Sequence, residues 1–196
     1  MRARPGRRPA ALFATGWLLL AMPSFSLVDA LLFHPTPGVA VTLERLGLEG
    51  EELFLETEDG VRIHAFLLAP RGEAPDRPRA FLFLHGNAGN ASHRLPNAAD
   101  LASLGATVLL LDYRCYGRSE GRPSEHGVYA DARAGLAALR ARGFPEERIV
   151  LFGRSLGGAV AVDLARGRPL GGVILESTIS SLAAAERTGF GGRGAW

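Results

Sequence analysis

Ile149-Val150-Leu151-Phe152-Gly153-Arg154-Ser155-Leu156-Gly157-Gly158 is the stretch whose reading decides the fold. A short apolar run, a serine with a glycine two residues away on either side, and a small-residue pattern at helical spacing spell strand, sharp turn, helix. On such a turn Ser155 is held in a strained conformation that lifts its hydroxyl above a sheet. A Cβ at 153 or 157 would collide with the neighbouring strand or helix, so both flanks are glycine. The backbone N–H of Leu156 opens the following helix and points at the place where an oxyanion would form.

In a chain with 25 glycines a lone Gly-x-Ser-x-Gly is a weak signal, and its context gives it weight. From Ala80 onward, continuous apolar runs at Phe81 to Leu84, Ala106 to Leu111, Ile149 to Phe152 and Val173 to Leu175 alternate with helical patterns near Leu95 to Leu104, Tyr129 to Arg140 and Leu156 to Ala165. Uninterrupted apolar strands separated by helices imply parallel strands covered on both faces. Ahead of them, Glu52 to Thr57 and Val61 to Leu68 alternate apolar and polar residues across Glu58-Asp59-Gly60, which predicts an antiparallel hairpin. The expected fold is therefore α/β, a mostly parallel sheet with an N-terminal β-hairpin.

Immediately after the Phe81 to Leu84 run stands His85-Gly86-Asn87-Ala88-Gly89-Asn90. Small residues there let backbone approach a reacting carbonyl, and the N–H of Asn87 would pair with that of Leu156 as an oxyanion hole. A phosphate-binding loop is the competing reading, and it lacks the lysine and hydroxyl of a P-loop.

Composition narrows the classes. A chain of 196 residues, 47% hydrophobic, has room for one substantial core, and a net charge of +2 gives no reason to expect nucleic acid. The single cysteine, Cys115, rules out an internal disulfide and any cysteine-rich metal site. No histidine pair has ligand spacing on one helix, and neither a metal nor another cofactor is expected. Arg2, Arg4, Arg7 and Arg8 precede an uncharged stretch from Ala10 to Val28, about long enough to span a bilayer at ~1.5 Å per residue. A signal anchor over residues 1–33 is favoured, which would place the domain on the extracytoplasmic side. Pro23 and Val28-Asp29-Ala30 keep a cleaved signal peptide and a secreted product open. Phe33-His34-Pro35-Thr36-Pro37-Gly38 reads as a linker. The domain then runs over 34–188, followed by an aperiodic glycine-rich tail, 189–196.

Taken in order, Phe33-His34-Pro35, the Asp59-Gly60 hairpin, the His85 to Asn90 loop, Asp112-Tyr113-Arg114-Cys115-Tyr116-Gly117-Arg118-Ser119, Pro123-Ser124-Glu125, the Gly153 to Gly157 bend and Leu175-Glu176-Ser177 resemble the α/β-hydrolase superfamily. The closest likeness is to its branch of membrane-anchored, prolyl-aminopeptidase-like and esterase-like members. The resemblance covers about Phe33 to Leu182. It implies a serine hydrolase with Ser155 as nucleophile, Asn87 and Leu156 as oxyanion donors, and a small-molecule or peptide acyl substrate joined by an ester, thioester or amide bond. At Cys115 the family usually has glycine, so a positive φ there would be strained.

A second departure concerns the base. In this superfamily the acid and histidine follow the serine, yet His34, His64, His85, His93 and His126 all precede Ser155. Only Asp163, Glu176 and Glu186 supply carboxylates after it. Asp163 reads as a solvated helix-face residue, and Glu176 sits where some lipases of the superfamily place their acid. His93 and His126 are unorthodox base candidates, while His85 reads as structural. The chain thus reads as C-terminally truncated, lacking the last strands and little active. The alternative is a catalytically dead fragment or a binding pseudoenzyme. An uncovered apolar edge at Gly172 to Leu175 is expected to pair or aggregate.

Overall fold

The computed structural model describes residues 33–72, 76 and 79–178. Expectations for residues 1–32, Glu186 and the tail fall outside the described residues. Six strands form one sheet: β1 (Gly50–Glu56), β2 (Arg62–Leu68), β3 (Ala80–Leu84), β4 (Thr107–Leu111), β5 (Ile149–Arg154) and β6 (Gly172–Glu176), in the order β1-β2-β4-β3-β5-β6. β1 and β2 pair antiparallel, β2 meets β4 antiparallel, and β4, β3, β5 and β6 run parallel. Helices α1 (Leu95–Ala102), α2 (Glu125–Ala141) and α3 (Leu156–Ala165) make the crossovers.

Every residue of β3 is buried, as a strand covered on both faces requires. Its alternate side chains feed two cores. Leu82 and Leu84 pack with Leu109, Leu136, Leu151 and Val160 beneath α2 and α3. Phe81 and Phe83 pack with Phe66, Leu95, Val108 and Leu110 beneath α1. Gly135 of α2 lies so close to Leu82 and Leu111 that a Cβ there would meet their methyl groups at 2.9 and 2.7 Å. Small residues on the helix thus set how deeply it sinks onto the sheet.

Two expectations change. α2 begins four residues earlier than the apolar spacing suggests, because the Ser124 hydroxyl accepts the Gly127 N–H and caps a first turn that carries no apolar stripe. Phe33 to Gly38 is no free linker. Phe33 is 3% exposed and belongs to the core, so the domain reaches at least one residue ahead of the expected boundary. Thr36 and Gly38 donate their N–H groups to Gly89 O and Gly117 O at 3.2 and 2.8 Å, and Thr36 O accepts from Gly117 N. Pro35 and Pro37 alternate with these donors, so the missing proline N–H groups cost no pairing.

Among the described residues β6 pairs only with β5, and Val173, Ile174 and Leu175 are 40, 44 and 48% exposed. Among the described residues no helix is long and apolar enough to cross a membrane.

Candidate active site

β5 ends at Arg154 and α3 begins at Leu156, so the entire reversal falls on Ser155, whose φ of 52° and ψ of −112° lie outside the comfortable regions for an L-residue. The glycines make this bend possible. A Cβ on Gly153 would meet Gly157 O at 2.5 Å and Gly158 Cα at 2.7 Å, and one on Gly157 would drive into the Leu84 carbonyl of β3. The Ser155 N–H is tied to Glu176 O of β6 at 2.9 Å. The side chain therefore stands at the carboxyl ends of the parallel strands, partly exposed.

The glycine loop after β3 closes against this bend. A Cβ built on Gly86 would lie 3.4 Å from Ser155 Cβ and 3.5 Å from Arg154 O. The loop is fixed from several sides. His85 Nδ1 lies 2.7 Å from Gly86 O, and the Tyr113 hydroxyl donates to His85 O at 3.2 Å. Asn87 Oδ1 accepts from Tyr116 Oη at 2.7 Å and from His34 N at 2.9 Å. The Asn90 amide donates to Thr36 O and Gly38 O, while its oxygen accepts from Ser92 N. The role expected of Asn87 rests on its backbone N–H; its side chain clamps the loop to the N-terminal strap, and nothing in the sequence pointed to that clamp. Leu156, buried, is the first residue of α3, where a helical N–H has no acceptor within its own helix.

The family model for serine aminopeptidases, S33, of the α/β-hydrolase class matches residues 76–187. The chain belongs to this α/β-hydrolase family. Rv2307c of Mycobacterium tuberculosis is 39% identical over 93% of this chain and 63% of its own length. The α/β hydrolase domain-containing protein WAV2 of Arabidopsis thaliana is 40% identical over 79% of this chain and 52% of its own length. The chain thus spans between about half and two thirds of these curated relatives. Among solved structures, an α/β hydrolase of Vibrio vulnificus superposes with a TM-score of 0.62 at 29% identity, covering 70% of this chain and 48% of that one. An esterase of Pyrococcus furiosus superposes at 0.61 with 25% identity, covering 74% and 58%.

Behind the loop of this α/β-hydrolase domain lies a buried polar network. Asp112, at the end of β4, accepts from Ala91 N at 2.6 Å, its second oxygen is 2.9 Å from His64 Nδ1, and His85 Nε2 stands 3.6 Å away. Burial would raise its pKa, but the bond from His64 and the nearby His85 imidazole outweigh burial and hold the carboxyl below its usual range. Arg114 is 5% exposed and is saturated by two carboxylates: Asp131 at 2.9 Å and Asp59 of the hairpin turn at 2.8 Å. Arg114 in turn holds Asp59 well below the ordinary carboxylate range. Cys115 takes φ 71°, the positive value that a glycine would hold without strain.

Among the described residues no histidine is hydrogen-bonded to the Ser155 hydroxyl. His64 and His85 are buried in the Asp112 network, and His93 Nδ1 accepts from Asn90 N at 3.2 Å. His126 lies on the first turn of α2, lining a shallow cleft with Asp59 and Arg114 rather than with the bend. Glu176 does reach the site. Its carboxylate stands 3.7 Å from Arg154 Nε and faces a guanidinium instead of an imidazole. Asp163 lies on α3 beside Arg166, on the solvated side of the helix.

Proposed function

We propose that the chain carries the nucleophile and oxyanion half of a serine hydrolase acting on ester, thioester or amide bonds through an acyl-enzyme on Ser155. The observation that carries this reading is the bend itself. A non-glycine residue held at φ 52° and ψ −112° is strained by roughly 1–3 kcal/mol, and such strain is kept where it aims a reacting group. A base takes the Ser155 hydroxyl proton as its oxygen attacks the carbonyl carbon, the carbonyl oxygen becomes an oxyanion between the N–H groups of Asn87 and Leu156, and the same proton passes to the leaving group as the oxyanion collapses to acyl-Ser155, which water then hydrolyses. Within the 196 residues no histidine follows Ser155, so turnover by this chain alone is expected to be slow. Loss of a triad histidine costs about 10⁶ in kcat and leaves a residual ~10³ to 10⁴ over water. Likeness to a Pyrococcus furiosus esterase supports the ester class.

A fluorophosphonate probe and p-nitrophenyl butyrate test this, each applied to the chain and to Ser155→Ala. Slow labelling that maps to Ser155, with p-nitrophenol release that disappears in the variant, is the expected result. Labelling or release that persists undiminished in Ser155→Ala overturns it. The rival reading, a binding pseudoenzyme, is favoured by the absence of a histidine on the Ser155 hydroxyl among the described residues, and it predicts no Ser155-dependent labelling at any probe concentration.

We further propose that residues 1–32 anchor the domain in a membrane, on the strength of the arginine flank and the uncharged run that follows it. Carbonate washing of membranes should leave the full chain in the pellet and release a chain lacking residues 1–32. Release of the full chain would refute the anchor.

A further inference from the structure

Two arginines flank the bend on the α1 side of the sheet. Arg154 is the last residue of β5, alternating onto the same face as Phe152, which meets Phe83 edge to face with ring centroids 4.7 Å apart. Arg94 closes the 3₁₀ turn Ala91–Arg94 ahead of α1, and its Nη2 reaches back to Ala88 O at 3.3 Å, in the same loop as Gly86, where a Cβ would lie 3.4 Å from Ser155 Cβ. A guanidinium carries five N–H donors. Among the described residues the Arg94–Ala88 bond is the one hydrogen bond these two side chains make, and Arg94 Nε is buried without a partner. The carboxylate nearest Arg154, Glu176, stands 3.7 Å off, beyond hydrogen-bond length, and is 45% exposed.

This is a different use of arginine from that at Arg114, where two edges of the guanidinium are bonded to carboxylates. Burial and the neighbouring positive charge of Arg154 lower the pKa of Arg94, while the Glu176 carboxylate raises it and offsets part of the repulsion between the two arginines. Holding two like charges together with their donors unspent is costly, and an anion placed between them would offset that cost.

We propose that Arg94 and Arg154 form an anion-recognition subsite beside Ser155, so that the acyl substrate carries a carboxylate or phosphate held next to its scissile carbonyl. The inference rests on the serine-hydrolase reading of Ser155 and adds the charge of its substrate. It also runs against a substrate with a free α-ammonium group next to the reacting carbonyl, as an aminopeptidase requires, since that cation would face two guanidiniums and one carboxylate.

The test compares three p-nitrophenyl esters of six-carbon acids on the full chain: hexanoate, the adipate monoester and 6-aminohexanoate, each corrected for spontaneous hydrolysis. The adipate ester should exceed hexanoate in kcat/KM by about tenfold, the gain of one well-placed charge-assisted bond, and the aminohexanoate ester should be the slowest. Arg94→Gln and Arg154→Gln should each pull the adipate-to-hexanoate ratio toward one, Arg154→Lys should retain part of it, and Glu176→Gln should raise it. A ratio near one in the parent chain, or a ratio unmoved by both glutamine variants, overturns the proposal. Calorimetric titration of Ser155→Ala with adipate, inorganic phosphate and hexanamide reads the subsite without chemistry. Saturable binding of adipate or phosphate that weakens in Arg94→Gln supports the subsite even if Ser155 proves inert, and no binding of either anion refutes it. The two anions separate a carboxylate ligand from a phosphate one.

Discussion

The two sides of the sheet treat buried polar groups in opposite ways. On the hairpin side, Arg114, Asp59 and Asp131 saturate one another, and Asp112 is engaged by His64 and by Ala91 N. On the β5–β6 side, Ser155 is held in strain, Arg94 Nε has no partner, and three large apolar side chains of β6 face outward. Satisfied donors hold the hairpin and its loops against the parallel strands. Among the described residues two buried side-chain nitrogens lack a partner: His85 Nε2, beside Asp112, and Arg94 Nε, in the turn that follows the glycine loop. The contrast separates what maintains the fold from what is left available for chemistry.

The largest expected effect breaks the saturated side. Arg114→Leu would leave Asp131 buried and unpaired and is expected to cost about 3–5 kcal/mol, read as a shift of the urea midpoint. Arg154→Leu, removing a half-exposed side chain with one long ion pair, should cost under ~1 kcal/mol. Equal losses at the two arginines would abolish the contrast. Next in size is Gly157→Ala, whose Cβ would push into the backbone at Leu84, the end of β3, and at His85 just after it. A loss of about 1–3 kcal/mol is expected, with Ser155-dependent labelling lost as well, and an unchanged melting temperature would show that the bend has slack.

Acid should weaken two carboxylates of the hairpin side and relieve a third: burial pushes Asp131 up to about 6, so its protonation below that pH works in the opposite sense. Asp112 and Asp59 have folded pKa values below their ordinary value of 3.8, so the stability they contribute is fully present above that pH and is lost as pH falls through their lower folded values. Stability followed from pH 6 to pH 2 should decline below about pH 4, and Asp112→Asn should flatten part of that decline. A profile identical in the variant would remove Asp112 from the account. The smallest effect is a gain. Cys115→Gly relieves a positive φ and should stabilise the chain by up to about 1 kcal/mol in thermal unfolding, offset in part by the entropy of glycine in the unfolded state. A destabilised Cys115→Gly would mean that the thiol's packing outweighs the strain.

Much of this framework was legible in the sequence. The β5 strand, the bend at Ser155 and α3 fall where the apolar run, the paired glycines and the small-residue helix place them, because each is a local pattern within ten residues. At Cys115 the resemblance offered only a condition, strain if the position needs a positive φ, and the observed φ of 71° meets it. The start of α2 was missed because a serine cap outweighs four residues without an apolar stripe. The rest could not be read locally at all. Arg114 meets Asp59 across 55 positions, Tyr116 meets Asn87 across 29, and Arg94 and Arg154 come to one end of the sheet from separate crossovers. Such pairings have no periodicity, and only the completed topology puts their partners within reach.

The backbone bonds from Thr36 and Gly38 to the loops at Gly89 and Gly117 fix more than an extra bit of strand. They bring the chain into the domain on the rim where Ser155 stands, at the opposite end of the strands from Gly105 and its backbone bond to Arg71. A short tether ending at Phe33, whatever it is fastened to, would therefore turn the mouth of the bend toward its support. Immobilising the domain through its front end should hinder bulky reagents at the serine more than the same attachment made near Gly105.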